Sequence, residues 1–448
     1  MNIIIVGAGQ VGYTVAEVLA PKNDVMVVEY DDDAASRANS MLNVSLFKGN
    51  GTNPKTLEEA ITRHRAEVII ATTSTDESNL FICIMAKRFN PDIKTVARIT
   101  DPDYLFKTTD KVAEGIDHIF SPELLTGNLI STLATLENAV EYESIESMNM
   151  GLATFLVSKE HTDIIGKVVI GLDLPKDVTV VAIYRGDDVI LEAETTELHE
   201  GDRICVLGSH DGIHEFNRSM GIIREASEIF ILGATTAGIH TARLLQQKKR
   251  YIKLVEPDHE LCSKLTKQFS MTIIKGNFID PHTLNMENVG RADVVIALGK
   301  TDEVNLLACL MCRKLGSKKI ISRYSVNEYE DIFDFTGIQS TIGYHRVVAN
   351  EIIKTLVSDE DAILKMKHEG ELFFSLNVNE QSDVCDERLG DIPLPPGCRV
   401  ACIIREGKQI YPRMDTEYRN GDKVLMYTYN AKIQKLEKMF KTRINHNL

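Results

Sequence analysis

The chain has 448 residues, 44% hydrophobic and 26% charged, which is typical of a globular protein with two to four domains of about 100–200 residues each. Its 65 acidic and 50 basic residues give a net charge of −15, so its surface repels nucleic-acid phosphates and anionic lipid, and we expect no nucleic-acid partner. It shows no signal peptide and no run of about 18 apolar residues, which predicts a cytoplasmic protein that meets a membrane only through a partner.

The first part of the chain alternates short apolar runs with amphipathic ones. Strands are predicted near residues 2–6, 24–29, 44–48, 67–71 and 94–98. Helices are predicted near 10–20, 33–40, 54–61, 76–90 and 102–108. A further helix is predicted over 121–140, opened by Ser121 as its cap and Pro122 at its first position. Strands that alternate with helices predict a parallel, doubly wound sheet.

The next part, about 150–220, is smaller. Its strand-like runs lie near 152–157, 179–184, 189–192 and 204–207, and they predict a compact α+β module.

The chain then repeats itself. Ile3-Ile-Ile-Val-Gly7-Ala-Gly-Gln-Val-Gly12 recurs 226 residues later as Ile229-Phe-Ile-Leu-Gly233-Ala-Thr-Thr-Ala-Gly238. Ala182-Ile-Tyr-Arg185 and Glu200-Gly201-Asp202, in the smaller part, match Cys402-Ile-Ile-Arg405 and Asn420-Gly421-Asp422. We therefore predict an α/β fold with two Rossmann-like, doubly wound parallel-sheet domains, each followed by a small α+β domain. The predicted bounds are 1–140, 141–222, 223–355 and 356–448.

A glycine fingerprint marks the first Rossmann-like domain. Gly7, Gly9 and Gly12 follow an apolar strand and open a helix, and Glu29 ends the next strand 22 positions after Gly7. This arrangement is typical of dinucleotide sites: the glycines allow a tight turn, close approach of a pyrophosphate and close packing of the helix. Glu29 is placed to accept from both ribose hydroxyls and repels a 2′-phosphate, which favours NAD(H) over NADP(H), although Arg37 is an alternative partner for that phosphate.

Other candidate ligand contacts follow the strands of the same domain, because open α/β sheets bind ligands at the carboxyl ends of their strands. They are Asn50, Gly51, Thr72, Thr73, Asp76, Asn79 and Arg98. Asn50 is a candidate for reading an adenine edge, and Arg98 for contacting a phosphate or a neighbouring subunit. Helix capping is the simpler interpretation of Asp76, and a surface ion pair is that of Arg98.

The second copy departs from the fingerprint at one position. Gly233, Ala234, Gly238 and Glu256 match the first copy, but Thr235 replaces the middle glycine. A branched side chain there narrows the approach of a pyrophosphate, so the second site is expected to bind a smaller nucleotide, to bind weakly or to stay empty.

Catalytic patterns are missing around this site. The chain has no GxSxG, GxxxxGK[ST] or HExxH segment, and its second half repeats the cofactor domain instead of adding a substrate domain. His210 and His214 have a metal-pair spacing without the accompanying Glu, which favours a solvated loop or helix start. Cys309 and Cys312 form a CxxC inside an apolar helical run, which favours core packing over a redox or metal role.

The order of the four domains, the segment Gly7-Ala8-Gly9-Gln10-Val11-Gly12 with Glu29, and Asp76-Glu-Ser-Asn79-Leu80 resemble the regulator-of-potassium-conductance family (RCK, also KTN). The resemblance covers essentially the whole chain. The glycine segment is shared with many Rossmann proteins, whereas the duplication with an interleaved small domain is the specific part.

The resemblance implies RCK-N domains that bind NAD(H), or alternatively ATP or ADP, and RCK-C domains. It implies a homotetrameric ring on the inner face of the membrane, under a transmembrane potassium-uptake subunit, that regulates transport without catalysis. Carried over by position, residues 7–12 cradle the phosphates and Glu29 holds the ribose, with Asn50, Thr72, Thr73 and Arg98 as weaker assignments. The alternatives left open are an NAD-dependent dehydrogenase or reductase, a regulator of a different potassium channel or antiporter, and a structural scaffold.

Overall fold

The computed structural model describes residues 1–107, 116–145, 148–221, 226–326, 329–338, 340–356, 363–366, 370–431 and 433–441. In this part of the chain every helix is too short or too polar to span a bilayer. The fold class predicted above is confirmed: two parallel sheets of six strands alternate along the chain with two antiparallel sheets of five.

The first parallel sheet has the strand order β3-β2-β1-β4-β5-β6. Its strands are β1 Asn2–Val6, β2 Asp24–Glu29, β3 Ser45–Lys48, β4 Val68–Ala71, β5 Lys94–Arg98 and β6 His118–Phe120. Its helices are α1 Gln10–Leu19, α2 Asp32–Met41, α3 Pro54–His64, α4 Asp76–Phe89, α5 Pro102–Lys107 and α6 Pro122–Leu133. The strand order reverses between β1 and β4, and this switch point is where such sheets bind ligands.

The first antiparallel sheet has the order β10-β9-β11-β8-β7. Its elements are β7 Ala139–Ile145, β8 Met150–Leu156, β9 Val178–Arg185, β10 Asp188–Ile190, β11 Arg203–Ser209 and α7 His210–Ser219. The predicted helix over 121–140 is wrong at its end, and the small module begins earlier than residue 150. The reason is that residues from Ala139 onward pair with β8, which buries Val140 and Tyr142 in this sheet.

The second parallel sheet repeats the first, in the order β14-β13-β12-β15-β16-β17. Its strands are β12 Glu228–Leu232, β13 Tyr251–Glu256, β14 Thr272–Lys275, β15 Val294–Ala297, β16 Lys319–Tyr324 and β17 Ser340–Gly343. The helices of this part of the chain are α8 Thr236–Gln247, α9 His259–Gln268, α10 Pro281–Met286, α11 Asp302–Leu315, α12 Tyr329–Phe335 and α13 Tyr344–Leu356.

The second antiparallel sheet has the order β18-β19-β22-β20-β21. Its elements are β18 Ile363–Lys365, β19 Glu371–Asn377, β20 Cys398–Arg405, β21 Lys408–Ile410, β22 Lys423–Tyr429 and α14 Ile433–Phe440. The two small sheets share one apolar core, in which Ala182 and Leu207 pack in one cluster with Ala401 and Leu425.

The two repeated segments of each small domain meet in one ion pair. Arg185 donates from Nε and Nη2 to the two carboxylate oxygens of Asp202, both at 2.8 Å, and Arg405 does the same to Asp422 at 2.7 Å. Both carboxylates are buried. A bidentate pair of this kind has a fixed geometry, which explains why the Arg and the Gly-Asp segments recur together.

The chain folds as two compact units that do not follow the order of the repeats. The first comprises residues 1–127 together with α13 from the second repeat. Val348 and Ile352 of α13 are fully buried in the core that α1 forms on one face of the first parallel sheet. The second unit comprises residues 128–343 and the small domain at the end of the chain.

Lys319, the first residue of β16, ends among backbone carbonyl groups. Its Nζ donates to the carbonyl oxygens of Ala139 at 2.8 Å and Glu137 at 3.3 Å, and to that of Leu136. Although the residue as a whole keeps some exposed surface, burial of the ammonium lowers its pKa to about 7. A partial counter-effect comes from the nearby charge of Glu137.

This buried ammonium should make stability depend on pH. The pKa of an unfolded lysine is about 10.4, so between pH 7 and that value the unfolded state binds more protons than the folded state. The free energy of unfolding should therefore rise with pH in that window, by at most about 1.4 kcal/mol per unit from this residue. Lys319→Met should remove this rise relative to wild type, as measured by denaturant unfolding at pH 7, 8 and 9.

The exposed neighbouring change Lys318→Met is the control and should keep the wild-type slope. If the free energy of unfolding changed with pH in the same way for wild type and Lys319→Met, Lys319 would be charged in both the folded and the unfolded state.

Candidate nucleotide site

A glycine turn joins β1 to α1 at the switch point of the first parallel sheet. Gly7 has a φ of +100°, a left-handed conformation that favours glycine. A Cβ atom on Gly12 would lie 1.9 Å from the carbonyl oxygen of Gly7, whereas a Cβ atom on Gly9 would meet nothing within 4 Å in the described part of the chain. The chain's own backbone therefore requires Gly7 and Gly12, but Gly9 keeps clear a space that the described residues leave unfilled.

The helix that follows begins without a side-chain cap. Gly9 is its N-cap residue in an extended conformation, no side chain in the described part of the chain caps it, and its first turn carries no acidic residue. Gln10, Val11 and Gly12 thus form a first turn whose N–H groups have no intrahelical partner. Such groups, together with the helix dipole, commonly bind a phosphate.

Glu29 ends β2 and holds this turn in place. Its Oε2 accepts from the N–H of Ala8 at 2.6 Å, and its Oε1 accepts from those of Tyr30 and Asp31 at 2.8 and 2.9 Å. The side chain is buried, and three of its roughly four acceptor positions are occupied, which leaves one on Oε2 for a ribose hydroxyl. Glu29 therefore orders the turn before any ligand arrives.

Arg37 lies beside the same turn. Its Nη2 donates to the carbonyl oxygen of Ala8 at 3.3 Å, and its guanidinium lies 5.3 Å from the centroid of the Tyr13 ring. These contacts hold the guanidinium beside the turn, and the choice between a 2′-hydroxyl and a 2′-phosphate stays a prediction from the sequence.

Thr72 follows β4, on the other side of the switch point. Its buried Oγ1 lies 3.2 and 3.1 Å from the carbonyl oxygens of Val6 and Gly7, which share its one proton. The side chain therefore supports the glycine turn through its backbone, and a direct contact of Thr72 with ligand stays a prediction.

Asn79 connects the ends of two strands. Its Oδ1 accepts from both the N–H and the Oγ1 of Thr73 at 2.7 Å, and its Nδ2 donates to the carbonyl oxygen of Arg98 at 2.9 Å. Asn79 is fully buried, so it positions Thr73 and Arg98 at the carboxyl edge without itself being reachable by a ligand.

Asn50 and Gly51 follow β3. The Oδ1 of Asn50 accepts from the N–H and Oγ1 of Thr52 at 2.9 and 2.8 Å, and the residue is exposed. A Cβ atom on Gly51 would lie 2.2 Å from the Cγ1 of Val6. Gly51 thus serves close packing behind the site, while Asn50 stands at its rim.

Arg98 is engaged by residues outside the fingerprint. Its Nη2 lies 2.9 Å from the Oε1 of Glu123, near the start of α6, and the hydroxyl of Tyr344 donates to the same oxygen at 3.2 Å. The side chains of Arg98 and Glu123 are each 17% exposed, so this is a half-buried ion pair and not the surface pair expected as the simpler interpretation. Contact of Arg98 with a phosphate or subunit stays a prediction.

The interpretation of Asp76 as a simple helix cap is wrong. Its carboxylate accepts from the N–H groups of Thr100 and Asp101 at 2.9 and 2.8 Å, which ties α4 to the loop after β5. Asp302 makes the equivalent contacts in the second repeat. Sequence spacing alone could not show this, because the partner loop lies 24 residues further along the chain.

The second copy of the turn keeps the backbone geometry of the first. Gly233 has a φ of +107°, and a Cβ atom on Gly238 would lie 2.3 Å from the carbonyl oxygen of Gly233. The Oε2 of Glu256 accepts from the N–H of Ala234 at 2.8 Å. These four residues therefore form the same frame as in the first repeat.

The side chain of Thr235 occupies the second turn. Its Oγ1 donates to the carbonyl oxygen of Leu298 at 2.9 Å and accepts from the N–H of Gly238 at 3.3 Å. The side chain thus caps α8 and fills the position that Gly9 leaves open in the first repeat. One of the donors that a phosphate needs is already used.

We expect, for this reason, that titration of the protein with NADH saturates at one equivalent per chain. Thr235→Gly should open a second equivalent, because it frees the Gly238 N–H at a cost in helix capping of only a few tenths of a kcal/mol. Isothermal titration calorimetry gives the stoichiometry, and Thr235→Ser, which keeps the hydroxyl, should remain at one. Two equivalents in the wild type would contradict the closed second turn.

Two other sequence features have structural explanations. Cys309 and Cys312 are fully buried in the core against β15 and β16, and burial raises the pKa of each thiol to about 12. His210 begins α7, and its Nδ1 lies 2.7 Å from the Tyr142 hydroxyl. Within the described residues, no group of three or more His, Cys, Asp and Glu is arranged to hold a metal ion.

Comparison with protein families matches both kinds of domain twice. The TrkA-N domain matches residues 3–122 and 229–343, and the TrkA-C domain matches residues 153–221 and 373–441.

Individual known proteins also match almost the whole of this chain. The chain is 27% identical over 452 residues to the Trk system potassium uptake protein TrkA homolog 1 of Methanosarcina mazei, covering 98% of this chain and 100% of that protein. It is 29% identical over 445 residues to the Trk system potassium uptake protein TrkA homolog of Archaeoglobus fulgidus, with the same coverage. A solved structure of the GsuK channel bound to NAD superposes with a TM-score of 0.64 at 18% identity, over 98% of this chain and 78% of that one.

Proposed function

The chain belongs to the TrkA-N domain family, with two TrkA-C domains beside its two TrkA-N domains, and on that premise we propose that it is a nucleotide-responsive regulatory subunit of a potassium-uptake system. The relatives that match its whole length carry the name of such a system.

One observation carries the proposal that a nucleotide is the signal. The first repeat presents an uncapped helix start, an unfilled space at Gly9 and an ordered carboxylate, Glu29, around the switch point of a parallel sheet. These are the groups that a diphosphate and its ribose need. The phosphates would lie at residues 7–12, the ribose at Glu29, and the other candidate contacts at Asn50, Thr73 and Arg98.

NAD(H) is the ligand that this geometry favours, with ATP or ADP as the alternative. The acidic Glu29 suits a ribose with free hydroxyls, which all of these ligands possess. The GsuK channel, which has this fold, is solved both with NAD and with ADP bound, so it supports a ligand of this class without separating the two. Competition between NADH and ATP for the first site distinguishes them.

The partner that we propose is a transmembrane potassium-uptake protein of the TrkH or TrkG type. The chain would assemble as a homotetrameric ring on the inner face of the membrane and remain peripheral, bound only through this partner. Both parallel-sheet domains expose apolar residues on equivalent helices, Phe81 and Ile84 on α4 and Leu307 and Leu310 on α11, which suits self-association.

In this scheme the nucleotide favours one arrangement of the ring over another, and the ring passes that preference to the transporter. A ligand can shift such an equilibrium only by its different affinity for the two states. Linkage then requires the partner to change nucleotide affinity by the same factor. No covalent bond is made or broken, so the chain acts as a regulator and not as an enzyme.

The experiment that tests this proposal uses solubilised membranes of the source cell. They are passed over the immobilised protein with and without NADH or ATP, and the retained proteins are identified by mass spectrometry. Recovery of a polytopic potassium transporter, in an amount that changes with nucleotide, is the expected result. Retention of a different potassium channel or antiporter would reassign the partner.

Retention of no membrane protein would overturn the proposal and favour a dehydrogenase or reductase. A spectrophotometric screen for hydride transfer with NAD and a broad panel of metabolites then follows, and steady turnover in it would establish the enzyme.

A further inference from the structure

The helix α13 belongs to the second repeat by sequence but to the first nucleotide site by position. It follows β17 directly, at Gly343–Tyr344, and its apolar side packs in the same core cluster as Val11 and Val15 of α1. Any displacement of α1 therefore acts on a helix that is covalently continuous with the second parallel sheet.

A hydrogen-bonded chain joins the two helices. The Nδ1 of His345, in α13, lies 2.6 Å from the Oγ1 of Thr14, and that same Oγ1 lies 2.9 Å from the carbonyl oxygen of Gln10. Thr14 is buried, with 1% of its surface exposed. A hydroxyl has one proton, and a carbonyl oxygen can only accept. For both contacts to be hydrogen bonds, Thr14 must donate to Gln10, and His345 must carry a proton on Nδ1 and donate it to Thr14.

This series of hydrogen bonds reaches the glycine fingerprint at Gln10. Gln10 is the first residue of α1, and it lies between the open position at Gly9 and the close packing at Gly12. The His345–Thr14–Gln10 chain thus holds the first turn of α1, whose N–H groups face the proposed phosphate position. Held donors bind more tightly than donors that must first be ordered.

We propose that His345 is a positioning residue for the first nucleotide site, through which occupancy of that site controls the docking of α13. The inference rests on the proposed function, since it concerns the regulation of the same site. By linkage, a contact that strengthens nucleotide binding is itself strengthened when the nucleotide is bound. Nucleotide occupancy of the first site thereby changes how firmly α13, a helix of the second repeat, is docked.

The first test measures the dissociation constant of NADH by calorimetry in the full-length protein. Thr14→Val and His345→Leu should each raise it about two- to tenfold, the range that one neutral hydrogen bond supports. The double variant should bind NADH no more weakly than the weaker-binding single variant, because both substitutions break the same series of hydrogen bonds. Two conservative single variants should keep most of the wild-type affinity: Thr14→Ser, which retains the hydroxyl, and His345→Asn, whose amide takes the place of Nδ1. His345→Gln, whose amide lies further along the side chain, should lose affinity as His345→Leu does.

His118→Leu provides the matched control. His118 contacts α13 as well, with its Nε2 3.0 Å from the Oε1 of Glu351, and this substitution removes that contact without changing the hydrogen bonds of Thr14. His118→Leu should leave the dissociation constant unchanged. An equal loss of affinity in His118→Leu would show that any loosening of α13 weakens the site, which overturns the role assigned to His345.

The second test follows hydrogen exchange of the amides of α13 with and without saturating NADH. Protection of residues 344–356 should increase with nucleotide in the wild type and should not in Thr14→Val, even when that variant is saturated. If the wild type binds no nucleotide, the proposed function fails. If it binds but the variants bind equally well, or α13 protection stays constant, only the present inference fails.

Discussion

Gly9→Ala is expected to weaken nucleotide binding about 10- to 100-fold while leaving the protein as stable as the wild type. The added methyl group meets nothing within 4 Å among the described residues. Alanine is a poorer N-cap residue than glycine, but it also lowers the backbone freedom of the unfolded chain, so the net change in stability should be small. It enters the space that a pyrophosphate needs in front of α1, and overpacking of this kind costs roughly 1–3 kcal/mol. Calorimetry with NADH and thermal unfolding on the same samples check the two halves of the prediction.

Two other glycines sharpen this experiment. Gly171→Ala, at an exposed position of the first small domain with only an ordinary contact to Val168, should change neither property. Gly12→Ala should damage both, because its methyl group would lie 1.9 Å from the Gly7 carbonyl oxygen. Unchanged affinity in Gly9→Ala would mean that no phosphate approaches this turn, and the nucleotide would have to lie elsewhere.

The regular parts of the fold could be predicted because their causes are local. Apolar runs such as 2–6 and 24–29 and the duplicated fingerprint indicated the parallel sheets and their strands, with ends within a residue or two. The end of α6 was missed because a distant partner decides it. Residues from Ala139 onward could continue a helix, but they pair with β8 instead.

The position of α13 was also beyond sequence reasoning. The apolar spacing of a helix does not say which of two similar sheets it covers. In the structure the buried residues of α13 complete the core of the first sheet, with Val348 and Ile352 beside α1. A duplicated chain offers two nearly equivalent docking faces, so only the packed structure distinguishes them.

The candidate site divides in the same way. The glycines and Glu29 could be identified because their spacing follows from one turn and two adjacent strands. The partners of Arg98 and Thr14 could not, because Glu123, Tyr344 and His345 approach from remote parts of the chain. One signal was present in the sequence: Thr235 replaces a glycine with a side chain able to cap the helix itself, as it does.

Placing a charge on the exposed apolar faces of α4 and α11 should dissociate the proposed ring. Phe81 and Ile84 are 42% and 41% exposed on α4, and Leu307 and Leu310 are 39% and 38% exposed on α11. Residues three apart lie on one helix face, so each helix presents a continuous apolar patch. The double variant Phe81→Lys with Leu307→Lys should therefore run as a single chain where the wild type runs as a tetramer, measured by light scattering after gel filtration.

The matched control places the same two charges at apolar positions that are still more exposed but lie on other helices. Met41, on α2, is 70% exposed and Met286, on α10, is 69% exposed, so Met41→Lys with Met286→Lys should leave the tetramer intact. Lysine is chosen because it reduces the net charge of −15, which removes general repulsion as a cause of dissociation. A tetramer that survives Phe81→Lys with Leu307→Lys would place the contact on another face. Dissociation of both double variants would show that α4 and α11 have no special role.

Because the proposed signal passes between neighbouring chains, a variant that dissociates should still bind nucleotide at its first site but lose the nucleotide-dependent retention of the membrane partner.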